Sequence, residues 1–292
     1  MATQTIVQAS LKLQSVEEKE EHVNSRGYNT EAKDGVNNIA MGIYKHPYRL
    51  PKFDDPYVKR DWLLNQMAGA FRVDPIDPHT FWINPLAVHF SLLTPQHMVL
   101  VDEQGNVIGG NRTTINAAGF KIHSTIHKER PDVNAICHVH SRAGKAFAAL
   151  GSHLDMLNQD ACIFFKNHTV YDDFGGVVLE SEEAKHIAEA MGPTNRAIIL
   201  KNHGLLTAGS NVGEAAYLLC LMDTCCDVQM QVDSVQASGR YRRDVIPDQE
   251  AKYTYNMTAS SENLYSSFCA DYEVEVASSN GALRSATSYH TD

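Results

Sequence analysis

Nowhere in the 292 residues is there a run approaching the ~20 consecutive apolar side chains that a membrane-spanning helix needs. The first residues, Met1 to Gln8, do not set a basic stretch ahead of an apolar one, so no secretory leader is expected. Basic side chains are outnumbered, 25 Lys and Arg against 35 Asp and Glu for a formal charge of −10, and they form no cluster. That removes the electrostatic basis for gripping a nucleic-acid backbone. Cysteine is sparse too. The six, Cys137, Cys162, Cys220, Cys225, Cys226 and Cys269, include no CxxC pair and no framework spacing, which excludes a disulfide scaffold and reads as thiols in a reducing compartment. Internal repeats are also lacking. A soluble, cytoplasmic protein with an ample core, binding neither nucleic acid nor membrane, is the expectation.

What is present falls into three stretches. Residues 1–38 are polar and charged, with Glu17 to His22 as solvated sequence, and read as a flexible arm. Residues 39–250 carry the pattern of one domain. A helix is expected from Pro56 through Trp62, Leu63, Gln66 and Met67 to Gly69. Thr80 to Pro85 and Met98 to Asp102 read as strands, with Glu103 to Asn106 as a hairpin turn into Val107 and Ile108. Ala117 to Arg130 reads as a helix with Phe120, Ile122 and Ile126 inward and Pro131 just beyond it. Arg142 to Leu150 forms a small-residue helix stopped by Gly151, and Ser181 caps another that Gly192 closes. Asn211 and Glu214 resemble a capping pair opening a long helix through Val212, Leu219, Met222 or Asp223, Cys226 and Met230, whose apolar positions read as core. After about Gln249 the sequence is mixed and polar. Residues 251–292 read as a C-terminal extension whose Ser-rich end, Ala277 to Ser285, is expected to be disordered.

One segment stands out chemically: Asn134-Ala-Ile-Cys-His-Val-His-Ser141. In a strand, residues two apart share a face, so His138 and His140 project the same way and Cys137 turns to the other side. Among fourteen histidines such a spacing arises easily by chance. A third histidine adds to it, because the strand-like run from Arg196 to Leu200 ends in Asn202-His203-Gly204. Three imidazoles with an open fourth position are how a catalytic divalent metal is held. Zinc is the first choice for such ligands, with manganese, iron and cobalt left open.

The order of these parts resembles the class II aldolase/adducin family. Ile83-Asn-Pro85, Leu93-Thr-Pro95, Val101-Asp102, Gly105, His123, Arg130-Pro-Asp-Val133, His138-Val-His-Ser141 and Asn202-His-Gly204 carry the likeness across roughly residues 60 to 235. Asn116 to His123, Phe81 to Pro85 and Phe174 to Val177 look most like its fungal adducin-like members. The resemblance implies an α/β fold of three layers, α/β/α, with a central, mainly antiparallel sheet. It also implies a small-molecule substrate, a divalent metal on His138, His140 and His203, and a homo-oligomer, often a tetramer with sites at subunit boundaries.

The departures shape the functional expectation. Family aldolases carry an acidic residue four positions before the histidine matching His123, and here that position is Gly119. The hydroxyl pair that helps hold a sugar phosphate is replaced by Ala117 and Ala118, the Thr-Gly after the proline by Leu86-Ala87, and a phosphate-contacting Asn falls near Ala70. A phosphorylated substrate would lack its donors. The expectation is a metal-dependent lyase, by aldol-type cleavage or decarboxylation, on a small non-phosphorylated carbonyl or carboxylate compound. A metal-assisted isomerase, epimerase or cyclase of specialised metabolism and a non-catalytic adducin-like interaction protein are the alternatives. His123 and His127, successive turns beyond Gly119 on one helix, are the replacement acid/base candidates, with Tyr171 as a third. Asn84, Asn116, Gly119, Ser141 and Asp160 are the expected substrate contacts.

Overall fold

The computed structural model describes residues 50, 52–59, 70–178, 181–281 and 283–284. Residues 56–59 are helical, while the polar arm and Trp62, Leu63, Gln66 and Met67 lie outside the described residues. Eight strands, β1 (Ala70–Val73), β2 (Thr80–Ile83), β3 (Val99–Asp102), β4 (Val107–Gly110), β5 (Ala135–Val139), β6 (His168–Tyr171), β7 (Ala197–Leu200) and β8 (Gly204–Gly209), form one sheet. Its order is β4-β3-β2-β1-β5-β8-β7-β6. Every pairing is antiparallel except that of β6 with β7.

Among the described residues, helices on both faces are α1 (Ala117–Glu129), α2 (Arg142–Ala148), α3 (Ser181–Met191), α4 (Val212–Ala237), α5 (Asp248–Thr258) and α6 (Ser261–Ser278). The alternation of β7 and β8 shows why both faces need covering. Ile198, Leu200, Leu206 and Ala208 pack with Ile122 and Ile126 of α1 and Ile187 and Met191 of α3. Ala197, Ile199 and Leu205 point the other way, onto Phe147 of α2 and Leu218 and Met222 of α4. Both strands are buried along their whole length, as strands sandwiched between helical layers must be. The fold is therefore α/β, with a mainly antiparallel sheet flanked by helices.

Local chemistry sets the helix starts. Asn116 Oδ1 accepts from the amides of Ala118 and Gly119, Ser141 caps α2 through Gly144, and Asn211 caps α4 through Glu214. The Arg130 guanidinium, just past α1, grips both carboxylate oxygens of Asp132 and the carbonyls of Gly192 and Asn195, tying the end of α1 to the end of α3.

Two parts of the sequence reading are corrected. The stretch after Gln249 is largely helical and packed: Tyr265, Cys269 and Tyr272 of α6 are buried with Val212 and Ala215 of α4 and Ala135 and Cys137 of β5, and Leu264 joins the cluster of Phe147, Leu218 and Met222. Ala277 and Ser278 complete α6, and the Tyr272 hydroxyl donates to the Arg284 carbonyl at 2.9 Å, so the first part of the Ser-rich end is structured. Strands β1, β6 and β8 were also not anticipated. β6 opens on His168 and Thr169, and β8 begins and ends in glycine, so neither displays an apolar run at both ends.

Candidate metal centre

β5 lies between β1 and β8 and places His138 opposite Leu206. Alternation sends Ile136 and His138 to the α1 and α3 face, while Cys137 packs on the other side among α4 and α6 residues. His140 follows one residue past the strand end. His203 comes from the turn between β7 and β8. There Asn202 holds φ at +57°, a left-handed conformation that asparagine tolerates well. Gly204 is required next, since a side chain would collide with the Val139 carbonyl and crowd the His140 ring. In Asn-His-Gly the outer two residues shape the backbone and the middle one carries the chemistry.

The result is a tight trio. One nitrogen from each of His138, His140 and His203 lies within 4.8 Å of the others, and His138 Nε2 is 2.9 Å from His140 Nε2. His138 Nδ1 is 2.8 Å from the Leu205 carbonyl. A carbonyl can only accept, so Nδ1 carries the proton and the Nε2 lone pair faces the trio. Enclosure pushes the His138 pKa down to about 3, aided by the neighbouring His203 and His140. Burial and then Lys145 lower that of His140. Burial and then His140 lower that of His203, with Glu183 opposing. Three neutral nitrogen donors, one of them oriented from behind by a backbone carbonyl, fit the donor set of a divalent metal with an open position.

A cavity of about 410 Å³ opens onto the trio. Asn116, Ala118, Gly119 and Ile122 of the α1 region form one wall; Phe174, Gly176, Val177 and Val178 form another, with Lys145 and Asn202 completing the lining.

Residues 60–230 match the family model described as the class II aldolase and adducin N-terminal domain. The chain belongs to this family. The meiotically up-regulated gene 14 protein of Schizosaccharomyces pombe is 43% identical over 251 residues, covering 80% of this chain and 96% of that protein. Decarboxylase NovR of Streptomyces niveus is 40% identical over 213 residues, covering 72% of this chain and 76% of its own. Among solved structures, L-fuculose 1-phosphate aldolase from Glaciozyma antarctica is similar with a TM-score of 0.74 and 31% identity, covering 84% of this chain and 99% of the aldolase.

Against this class II aldolase background, the expected site residues separate by position. Asn116 and Gly119 line the cavity. His123 is buried behind the trio, its ring edge-on to His138 at 6.4 Å between centroids, and burial followed by the charges of His138 and His127 holds it neutral. His127 is a core residue: its Nδ1 is 2.9 Å from the Val133 carbonyl and its ring stacks on Phe81 at 5.7 Å. Tyr171 ends β6, buried, with burial and then the Glu183 carboxylate pushing its phenol up to about 12.

Ser141 is turned away from the cavity, donating a short hydrogen bond to the Asp223 carboxylate while capping α2. Asn84 donates to the Pro85 carbonyl at 3.3 Å and lies off the lining. Asp160 is exposed at the start of the turn Ala161–Phe164, where its charge acts on Cys162 and Cys225. Neither Asp160 nor Ser141 is among the residues that line the cavity.

Three contributors escaped the sequence reading. Lys145 lines the cavity because α2 carries it back past His140. Asp223 of α4 accepts from both Ser141 Oγ and the Gly144 amide, bracing the turn that follows His140. Glu183 of α3 accepts from the Gly175 amide at 3.2 Å, fastening the segment that walls the cavity. The helical register of each was readable, but its orientation depends on how α2, α3 and α4 pack.

Proposed function

We propose that this chain is a divalent-metal-dependent lyase that cleaves or forms a carbon-carbon bond, by aldol-type chemistry or decarboxylation, in a small non-phosphorylated carbonyl or carboxylate compound. The observation that carries the reading is the convergence of three neutral imidazoles, His138, His140 and His203, on the lining of the cavity. A divalent ion bound there, zinc first among those suited to imidazole, supplies Lewis acidity to a substrate carbonyl and to the oxyanion that develops on it.

The chain's own residues do the rest. The Leu205 carbonyl fixes the ring and tautomer of His138, and His123 packs against the same ring from within the core. Asn116 and Asn202 line the cavity with polar residues, and Ile122, Phe174, Val177 and Val178 give it an apolar wall. Proton exchange is assigned to His123, held neutral, and to the Tyr171 phenol, held protonated, both buried next to the cavity-lining elements. The similarity to a protein named as a decarboxylase supports loss of a carboxylate as one outcome.

The substrate is read as non-phosphorylated because Ala118 and Gly119 stand on the wall where family aldolases bring hydroxyl and acidic side chains. We read the protein further as a cytoplasmic homo-oligomer, a tetramer by its family; all six cysteines are free, and Leu86, Phe90 and Leu92 present exposed apolar surface. Light scattering tests the assembly. No described helix is long and apolar enough to cross a membrane.

Turnover is tested by incubating zinc-loaded protein with a panel of 3-oxo acids and 4-hydroxy-2-oxo acids, with release of carbon dioxide or aldehyde as the readout. Product that disappears on chelation supports the lyase. A fully metal-loaded protein inert toward the whole panel would instead support the adducin-like, non-catalytic reading.

A further inference from the structure

The cavity carries a second chemical signature besides the histidines, and its meaning rests on the substrate-site reading above. Lys145 is the one cation among the described residues that line the cavity, and no Asp or Glu lines it. Lys166, Lys185 and Lys201 are paired with Asp248, Glu182 and Asp172. Among the described residues Lys145 has no such pair. Exposed on α2, Lys145 thus brings an unpaired charge to the cavity lining, close enough to act on the His140 ring.

The opposite character dominates elsewhere. Ile122, Phe174, Val177 and Val178 give the lining an apolar surface, and Phe174 and Val177 remain 50% and 74% exposed. Apolar side chains left open around a concave site are surface for an apolar ligand. A site with one cation, one apolar wall and a metal-binding trio between them fits a molecule with one anionic group and an apolar body.

The anion is a carboxylate rather than a phosphate. A phosphate dianion needs several convergent donors. The backbone amides of Ala118 and Gly119, which might have joined them at the start of α1, are already taken by Asn116 Oδ1 at 3.1 and 3.2 Å. A single ammonium suits a monoanion. We propose that the substrate is an organic monocarboxylate with an apolar body, and that Lys145 is the specificity residue that binds its carboxylate.

Calorimetric titration of the full-length, zinc-loaded protein tests this with 2-oxo-4-phenylbutanoate, its methyl ester and glycerol 3-phosphate as probes. The acid is expected to bind more tightly than the ester and than the phosphate. Lys145→Met should weaken acid binding about fivefold, the scale of a partly exposed ion pair, and leave the ester unchanged, while Lys145→Arg keeps most of the preference. Equal acid affinity in Lys145→Met, or equal losses for acid and ester, would overturn the role of Lys145. Tighter binding of glycerol 3-phosphate than of the acid, or no binding of the acid, would overturn the substrate class. Repeating the titration on metal-free protein separates the two claims: Lys145-dependent acid binding that survives there supports the anchor even if the trio proves not to hold metal.

Discussion

Gly119 stands on the cavity wall, and the space around it makes the missing side chain testable. A Cβ there would meet Asn116 only at 3.6 Å or beyond, ordinary contact. Gly119→Glu should therefore fold, gain up to about 1 kcal/mol from leaving a helical glycine behind, and place a carboxylate on the cavity wall near the histidines. Thermal denaturation should show an unchanged or slightly raised Tm, and competition with a chromophoric chelator should show tighter zinc binding. A lower Tm with unchanged zinc affinity would mean that the wall at Gly119 does not face the metal. The histidines were legible at this scale because a strand's two-residue period and the Asn-His-Gly turn are local rules. Lys145 was not, since nothing local says that the face of α2 carrying it looks into a cavity.

Elements hold the site through polar contacts between helices, and two of these carry predictions. Asp223 reaches from α4 to Ser141 and Gly144, so it should govern how His140 is presented without touching metal. Asp223→Ala should weaken zinc binding about tenfold, the lower range for outer-shell partners, with little change in far-UV circular dichroism; unchanged affinity would reduce Asp223 to a helix cap. The other contact is a latch. Arg196 at the start of β7 pairs with Glu214 of α4 at 2.6 Å and donates to the Ala259 carbonyl between α5 and α6, while Ser210 and Ser261 donate to the second Glu214 oxygen. Burial opposes the Glu214 charge, yet the hydrogen bonds from Ser261, Arg196 and Ser210 win and hold its pKa below the usual value.

Glu214→Ala leaves the partly buried guanidinium without its carboxylate and should cost about 2–3 kcal/mol in denaturant unfolding, below the range for a fully buried pair. A loss within about 0.5 kcal/mol would show the latch to be incidental. Helices α1, α3 and α4 were legible from caps and periodicity. The latch was not, although the buried set Leu264, Tyr265, Cys269 and Tyr272 follows a helical period in the sequence, because the surrounding polar residues masked it.

Five histidines of the fold have lowered pKa values, and that gives the molecule a pH signature. His138 sits near 3, and His123, His140, His168 and His203 are all shifted below 6.5, with burial the first cause in each. On unfolding these rings regain ordinary pKa values and take up protons, so the unfolded chain binds more protons between roughly 6.5 and each lowered folded value. Stability of the metal-free protein is therefore full above about pH 6.5 and falls as pH drops from there toward about 3, the folded value of His138. Metal should be released over the same direction of change, because protons compete for the same nitrogens. Tm measured against pH checks this, with His138→Gln expected to show a shallower acid limb. A Tm that is flat from pH 7 to 5 would contradict it.

Fold and histidine trio both emerge from the order of strands and turns along the chain, whereas the choice of substrate depends on side chains that meet only after folding. The most direct test of the account is elemental analysis of the purified protein before and after reconstitution with zinc, alongside His138→Ala and His203→Ala. About one equivalent of divalent metal per chain is expected in the wild type and its loss in both variants, since two remaining imidazoles hold a metal poorly. Less than about a tenth of an equivalent after reconstitution, or full occupancy in both variants, would contradict it.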